Sequence, residues 1–395
     1  MVVIPPRRVI AFLAWVPILP LSAQGLKPSD SIPQLEIAVR RDSNDAQLHY
    51  RLGLAYWSRK RFDDAGRSLL AAIAIERRFA AAYLALGYLP YARRKQLMKE
   101  EAQGRVPTEW RDSVYQAGRL RRRAFLINPL VDLTIVGAVV PVQQNPYGTV
   151  IDRAGHVFFM ADPFSAFVIG DYSMAYLTFN RWVAEGLEKK PRDSIPSGLL
   201  WFRGLSAGHA AVYDTALSDF QLLLDRGLRA ERSDSVTPIP LATNDFRYVL
   251  ATFKYRARRL PEAIDLYKEA LGSDAGLFMA HVQMGKIYEQ LKQWPDAVEH
   301  FQAAVATAPD DPSVLLDLGV ILREAGRLAE SESTLAQAME TNPRDSRVPY
   351  HLGITLQQEG KTTEARAAFT RFVELAPSRY GTQITDARDR LALMQ

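Results

Sequence analysis

Three consecutive stretches decide the fold: FMAHVQMGKIYEQLKQWPDAVEHFQAAVATAPDD at 278–311, PSVLLDLGVILREAGRLAESESTLAQAMETNPRD at 312–345, and SRVPYHLGITLQQEGKTTEARAAFTRFVELAPSR at 346–379. Laid over one another they place Gly285, Gly319 and Gly353 at the eighth position, in steps of 34, with Ala251 one such step earlier. Other positions keep the same step. Tyr288, Leu322 and Leu356 fall at the eleventh; Ala297, Ser331 and Ala365 at the twentieth; Phe301, Leu335 and Phe369 at the twenty-fourth. Ala304, Ala338 and Phe372 follow, and Pro309, Pro343 and Pro377 close each stretch. Near the N-terminus Gly53 and Gly87 are again 34 apart, and the stretch 46–79 gives Gly53, Tyr56, Ala65, Leu69 and Ala72, with Arg77 where the proline would fall.

Within each stretch the apolar residues recur at three and four, which gathers them on one helical face. Small residues at the eighth and twentieth positions let two helices approach closely, while Tyr, Leu and Phe fill the space beside them. A proline cannot continue a helix and marks the passage to the next stretch. Between the two helices a Gly or a basic residue makes the turn, as in Ala325-Gly326-Arg327 and Glu359-Gly360-Lys361. The reading is a chain of antiparallel helix pairs.

A period of 34 with this small/large pattern resembles the tetratricopeptide repeat, TPR. The resemblance runs through 278–379, 46–79, 197–230 and 244–277, the unit 197–230 showing Gly204, Ala216, Phe220 and Trp201. It implies an all-α fold, a right-handed superhelical array of antiparallel helix pairs. In such arrays each repeat buries its face against its neighbours alone, and the end units need caps. The period is broken three times in the middle. The step from Gly87 to Gly137 is 50, from Gly137 to Gly204 it is 67, and from Gly204 to Ala251 it is 47. The first insertion lengthens a helix pair around Lys95 to Arg111, and the third is a loop from Arg229 to Asn244. The second lies around Pro141 to Gly170, where Thr149-Val150-Ile151 and Val157-Phe158-Phe159 flank Asp152-Arg153-Ala154-Gly155 as a short β-hairpin. Helix resumes near Asp171.

The organisation expected is therefore a leader at 1–23, a flank and half-unit helix (Ile32 to Arg41) within 24–45, and repeats at 46–131. A degenerate unit with the insertion follows at 132–196, then a repeat and loop at 197–243 and four regular repeats at 244–379. A capping helix, Thr382 to Met394, fills 380–395.

The leader is read from Arg7 and Arg8, the apolar run Val9 to Leu21, and the small pair Ser22 and Ala23. A basic start, a short apolar stretch and a small-residue cleavage site make a secretory signal, with cleavage after Ala23. Thirteen residues interrupted by Pro17 and Pro20 fall short of a ~30 Å bilayer core. An uncleaved inner-membrane anchor is the alternative, since Leu21 is larger than the usual residue three positions before the new terminus. The expected location is periplasmic or extracellular.

Composition fits this. Of 395 residues 48% are hydrophobic and 24% charged, an ordinary globular balance. The chain has no cysteine, which excludes disulfides, a thiol nucleophile, Cys-ligated zinc, an iron–sulfur cluster and a lipoprotein anchor. A net charge of +5 suggests nucleic acid at first sight. The 49 basic residues are 38 Arg and 11 Lys, a bias that codon composition explains, and loss of Arg7 and Arg8 leaves +3. No nucleic-acid partner is expected.

Several motifs invite chemistry and are weighed against the repeat. Gly204-Leu205-Ser206-Ala207-Gly208 matches the nucleophile-elbow string, but that device needs a strand before it, and the repeat puts helix there. Glu359-Gly360-Lys361-Thr362 ends like a phosphate-binding loop, yet Thr355 stands where its first glycine belongs. The six histidines, His49, His156, His209, His281, His300 and His351, form no HExxH and no i, i+4 pair, so no metal site is expected. From Arg93 to Arg123 ten basic residues meet four acids, a charged stretch read as a solvated face or, alternatively, a site for an anionic partner.

What the resemblance implies about function is partner binding. In the TPR family the first helices line a concave surface, with the second, fifth, ninth and twelfth positions facing it. Carried over, these are Tyr50, Trp57, Tyr88, Tyr91, Trp201, Tyr248, Tyr255, Lys286, Glu289, Arg323, Arg347 and Tyr350. Tyr and Trp give large contact area at low entropic cost. Peptide-binding members that hold a terminal carboxylate use Lys at the fifth position and Asn at the ninth, and this chain has neither there. The expectation is an exported scaffold that binds a protein or peptide in the cell envelope, with no cofactor and no catalysis. Two alternatives are a membrane-tethered assembly factor and an enzyme built in the 141–170 insertion around Asp152, His156 and Asp162.

Overall fold

The computed structural model describes residues 31–101, 109–132, 147–151, 157–161, 163–168, 170–187, 194–232, 243–309 and 311–394. The helices come in order: α1 Ile32–Arg41, α2 Ala46–Ser58, α3 Phe62–Ile75, α4 Ala80–Glu101 and α5 Glu109–Ile127. Two strands follow, β1 Tyr147–Ile151 and β2 Val157–Ala161. The chain continues through α6 Pro163–Val168, α7 Tyr172–Leu187, α8 Ser197–His209, α9 Tyr213–Arg232, α10 Thr243–Arg256 and α11 Leu260–Ser273. Three regular pairs come next: α12 Phe278–Gln290 with α13 Trp294–Thr307, α14 Pro312–Glu324 with α15 Leu328–Thr341, and α16 Arg347–Gln358 with α17 Thr362–Leu375. A 3-10 turn, Ser378–Tyr380, leads into α18 Gly381–Leu393.

The eighth-position glycines show why the helices pair so closely. A methyl group built on Gly285 would lie 2.7 Å from the Phe301 ring, one on Gly319 2.5 Å from Leu335, and one on Gly353 2.8 Å from Phe369. The same construction meets Phe220 at 2.8 Å from Gly204 and Leu69 at 3.0 Å from Gly53. Each small residue on a first helix therefore receives the large twenty-fourth residue of the second. Those large residues are fully or almost fully buried.

The turns repeat as faithfully as the cores. Arg258, Lys292, Gly326 and Gly360 all have positive φ (63°, 55°, 76° and 77°) and follow one another at the repeat's own step, with Lys60 (60°) and Ala211 (59°) in the corresponding turns of earlier pairs. The residue after each donates its backbone N–H back to the end of the first helix: Gln293 to Tyr288 O at 2.9 Å, Arg327 to Leu322 O at 2.8 Å and Lys361 to Leu356 O at 2.9 Å. This is the left-handed C-terminal cap of a helix. Glycine adopts it without steric cost, and the basic residues at 258 and 292 accept a modest one.

Two compact units emerge, one holding residues 31–86, 120–129 and 247–395, the other holding the described residues of 87–119 and 130–246. In the second of these, α8 and α9 are pinned by a buried ion pair. Arg203, 7% exposed, donates from Nε and Nη2 to both oxygens of Asp219, which is 0% exposed, at 2.8 and 2.5 Å.

The first unit corrects the expectation that repeats touch only their neighbours in sequence. Asn44 donates to the carbonyls of Arg344 (2.5 Å) and Leu375 (3.1 Å), and Arg344 Nη2 donates to Ser43 O at 2.6 Å. Asn342 donates to Ile75 O at 3.2 Å, Ser378 N to Asp42 Oδ2 at 3.0 Å, and Arg78 pairs with Asp317 at 2.5 Å. Arg379 lies 3.4 Å from Asp45 and 3.5 Å from Glu76. The two ends of the α2–α3 pair thus dock on the inter-repeat turns at 342–347 and 375–379. The end of α5 joins them, Tyr248 donating to Leu126 O at 2.6 Å. Polar side chains at repeat boundaries, which carry no periodic signal, make these contacts, and so the period alone did not reveal them.

Elsewhere the expected elements stand close to their places. The β-hairpin is antiparallel, with Thr149 opposite Phe159 and Ile151 opposite Val157; its turn, Asp152 to Gly155, lies outside the described residues, as does Gly137. Helix α6 was not expected. Helix α9 continues to Arg232, into the segment read as loop from Arg229.

Candidate functional site

The inward positions read from the sequence divide by what already covers them. Tyr248 is 0% exposed, with its hydroxyl spent on Leu126, and burial raises its pKa well above that of a free phenol. Trp57 is 6% exposed. Both are thereby corrected from partner-facing to core residues: the end of α5 covers Tyr248, and Trp57 is buried in the core. Tyr50 is half-buried, its ring 5.0 Å from that of Phe79. Trp201 packs 5.3 Å from Phe220 and 5.9 Å from Phe246, inside its own unit. Tyr88 is half-buried, and the Tyr91 side chain lies outside what is described.

Farther along, the same positions carry charge and keep partial exposure. Tyr255 is half-buried, which raises its pKa, and its hydroxyl accepts from Gln290. Lys286 and Glu289 are both partly exposed. Burial, with the neighbouring Asp317 carboxylate, lifts the Glu289 pKa above the usual range. Arg323 is packed against Glu324 at 2.9 Å and His351 at 3.3 Å. Burial, followed by the charges of Arg323 and Arg347, pushes His351 down to about 4, so it is neutral at physiological pH. Burial opposes the charge on Arg347, and the Asp345 carboxylate at 2.6 Å outweighs it. Tyr350 donates to Asp386 of α18 at 2.9 Å and packs on Phe372. The C-terminal cap therefore closes on the last of these positions.

The motifs that suggested chemistry are absorbed by packing. Ser206 sits within α8, is 0% exposed, and donates to Phe202 O at 2.7 Å, so the hydrolase-like string has neither a strand nor an open nucleophile. Gly360 of the Glu359-to-Thr362 string makes the α16–α17 turn. His209 stacks on Tyr172 with ring centroids 3.8 Å apart. Sequence spacing did not reveal that His281 and His300 meet, Nδ1 to Nδ1 at 3.2 Å, because they stand on opposite helices of one pair. Asp152, His156 and Asp162 lie outside the described residues. Among the described residues no group of three or more metal-ligating side chains is present, and no helix is long and apolar enough to cross a membrane.

The basic stretch 93–123 ends in ion pairs rather than in a wholly solvated face. Arg122 lies 3.4 Å from Asp274, and Arg123 lies 3.4 Å from Asp311. These two arginines bind α5 to the turns before α12 and α14.

Comparison with known proteins agrees with the architecture. Family models described as tetratricopeptide repeat match residues 23–83, 290–350 and 350–378. These segments are tetratricopeptide repeats, and repeats of this class build protein-interaction scaffolds. Among solved structures it is similar to the C-terminal part of a TPR repeat-containing protein from Cytophaga hutchinsonii, at 17% identity over 59% of this chain and 86% of that one, with a TM-score of 0.46. It is also similar to MamA from Desulfovibrio magneticus RS-1, at 20% identity over 45% of this chain and 94% of that one, TM-score 0.38. MamA of AMB-1 gives 19% identity, 45% and 91% coverage and a TM-score of 0.36. No curated protein matches the chain.

Proposed function

We propose that this protein is an exported scaffold of the cell envelope that binds a protein or peptide partner and catalyses no reaction. The observation that carries the reading is the repeat packing itself: a glycine at one repeat position meets a Phe or Leu at another in successive pairs, leaving partly exposed aromatic and charged side chains, Tyr255, Lys286 and Glu289 among them, on the first helices. Export is supported by Arg7, Arg8, the apolar run to Leu21 and Ser22-Ala23, and by a family match that begins at residue 23, where the leader would end. The lack of catalysis is supported by Ser206 and His209, which are committed to backbone bonding and ring stacking.

The test is affinity purification of the tagged chain from the native envelope fraction, with mass spectrometry of what is retained and of the bait's own N-terminus. A bait beginning at Gln24 with a stoichiometric protein partner is expected. A cytosolic bait beginning at Met1 would remove the export reading, and an envelope bait with no partner would remove the scaffold reading.

A further inference from the structure

The α3–α4 turn, α4, the end of α5, α12 and the α13–α14 turn enclose a recess of about 360 Å³ lined by Arg77, Tyr83, Arg123, Phe278, Ala308 and Asp311. All six belong to the same compact unit. Two guanidiniums against one carboxylate leave a formal charge of +1, and the other walls are aromatic or aliphatic.

Arg123 is held but not fully used. Its guanidinium lies 5.1 Å over the Tyr83 ring, and its Nη2 is 3.4 Å from Asp311 Oδ2, long for a charge-assisted hydrogen bond. The other Asp311 oxygen is engaged in capping α14, accepting from Ser313 N at 3.1 Å. Arg123 Nε is buried and has no acceptor among the described residues. A buried donor left open in this way calls for an acceptor. The charge selects its kind: a singly charged planar carboxylate matches a guanidinium fork and offsets the +1, whereas a phosphate dianion would face the Asp311 carboxylate. Tyr83, Phe278 and Ala308 suit an apolar stem, and the volume, at the small end for ligand sites, suits one residue or a molecule of that size.

We propose that this recess receives a carboxylate carried on a short apolar stem, the chemistry shared by the C-terminal residue of an extended polypeptide and a small free organic acid. It lies apart from the fifth and ninth repeat positions, and it stands whether or not the protein is exported.

The test is calorimetric titration of the full chain with four probes: a hexapeptide ending in phenylalanine with a free carboxylate, the same peptide amidated, 3-phenylpropanoic acid, and its amide. The free acids should bind at least about tenfold more tightly than the amides, the difference expected for one charge-assisted pair. Arg77→Glu, at an exposed position, should weaken the acids by about the same factor with the thermal midpoint unchanged. Arg123→Met should do so as well, with circular dichroism confirming that the fold persists. Tight binding of the peptide alone identifies a polypeptide terminus as the source, and equal binding of the free acid identifies a small molecule. Acids and amides binding alike, no binding by any probe at about 10 mM, or acid binding indifferent to Arg77→Glu would overturn the proposal.

Discussion

Replacing Gly285 by alanine probes the repeat where its geometry is tightest. The new methyl group would sit 2.7, 2.8 and 3.0 Å from three atoms of the Phe301 ring, closer than carbon atoms tolerate. Phe301 is 1% exposed, so the ring has no solvent to retreat into. Overpacking of this kind costs about 1–3 kcal/mol. Alanine recovers about 1 kcal/mol of helix propensity, so the expected net loss is about 0–2 kcal/mol. Gly272 in α11 supplies the control, because nothing lies within 4 Å of a methyl group built there. Gly272→Ala should instead gain about 0.5–1 kcal/mol. The two variants differ in sign although their chemistry is identical. Repeat arrays need not unfold in one step, so amide exchange in α11 to α13 should accompany urea titration. Adding Phe301→Leu to Gly285→Ala should return part of the loss. Gly285→Ala stabilising the protein as much as Gly272→Ala would refute the close-approach reasoning.

Other outcomes follow from single contacts. Arg203→Met strands Asp219 in the α8–α9 interior and should cost about 3–5 kcal/mol, while the double change Arg203→Met with Asp219→Leu should restore most of it in thermal unfolding. His351 has a folded pKa lowered from 6.5 to about 4, so its neutral form is favoured. Its stabilising share is complete above pH 6.5 and is lost as pH falls toward 4, by up to about 3 kcal/mol. His351→Asn should flatten that part of a urea-midpoint profile against pH; His281 and His300, also lowered first by burial, shape what remains. Trp57→Ala should lower stability by about 3–5 kcal/mol, the cost of emptying a buried aromatic site, rather than act as a clean binding variant.

The sequence disclosed what is periodic. Gly285, Gly319 and Gly353, their Phe and Leu partners and the turns at 326 and 360 were legible because each recurs once per repeat and each has one physical use. The half-unit helix at 32–41 stands where the sequence put it, and the structure adds a capping box between Ser31 and Gln34 with Pro33 in the first turn. What was not legible depends on residues that occur once. Asn44, Arg78, Asn342 and Arg379 bring distant parts of the chain together through polar contacts that leave no pattern. Tyr248 was misread as inward because the end of α5, distant in sequence, fills the place its repeat register leaves open, and Trp57 is likewise buried. The Arg123 recess was hidden for the same reason, its six residues coming from five separate segments. In the sequence, Arg123 was one member of a charged run.

The docking of the first repeat on the last ones is directly measurable, because the chain has no native cysteine. Cysteines placed at Asn44 and Arg344, whose side chains exchange contacts in the structure, should be joined by a short bis-maleimide within one chain. A monomeric, compacted species on denaturing electrophoresis is the expected result. Failure to cross-link, or linkage only between chains, would contradict the docked arrangement and with it the recess.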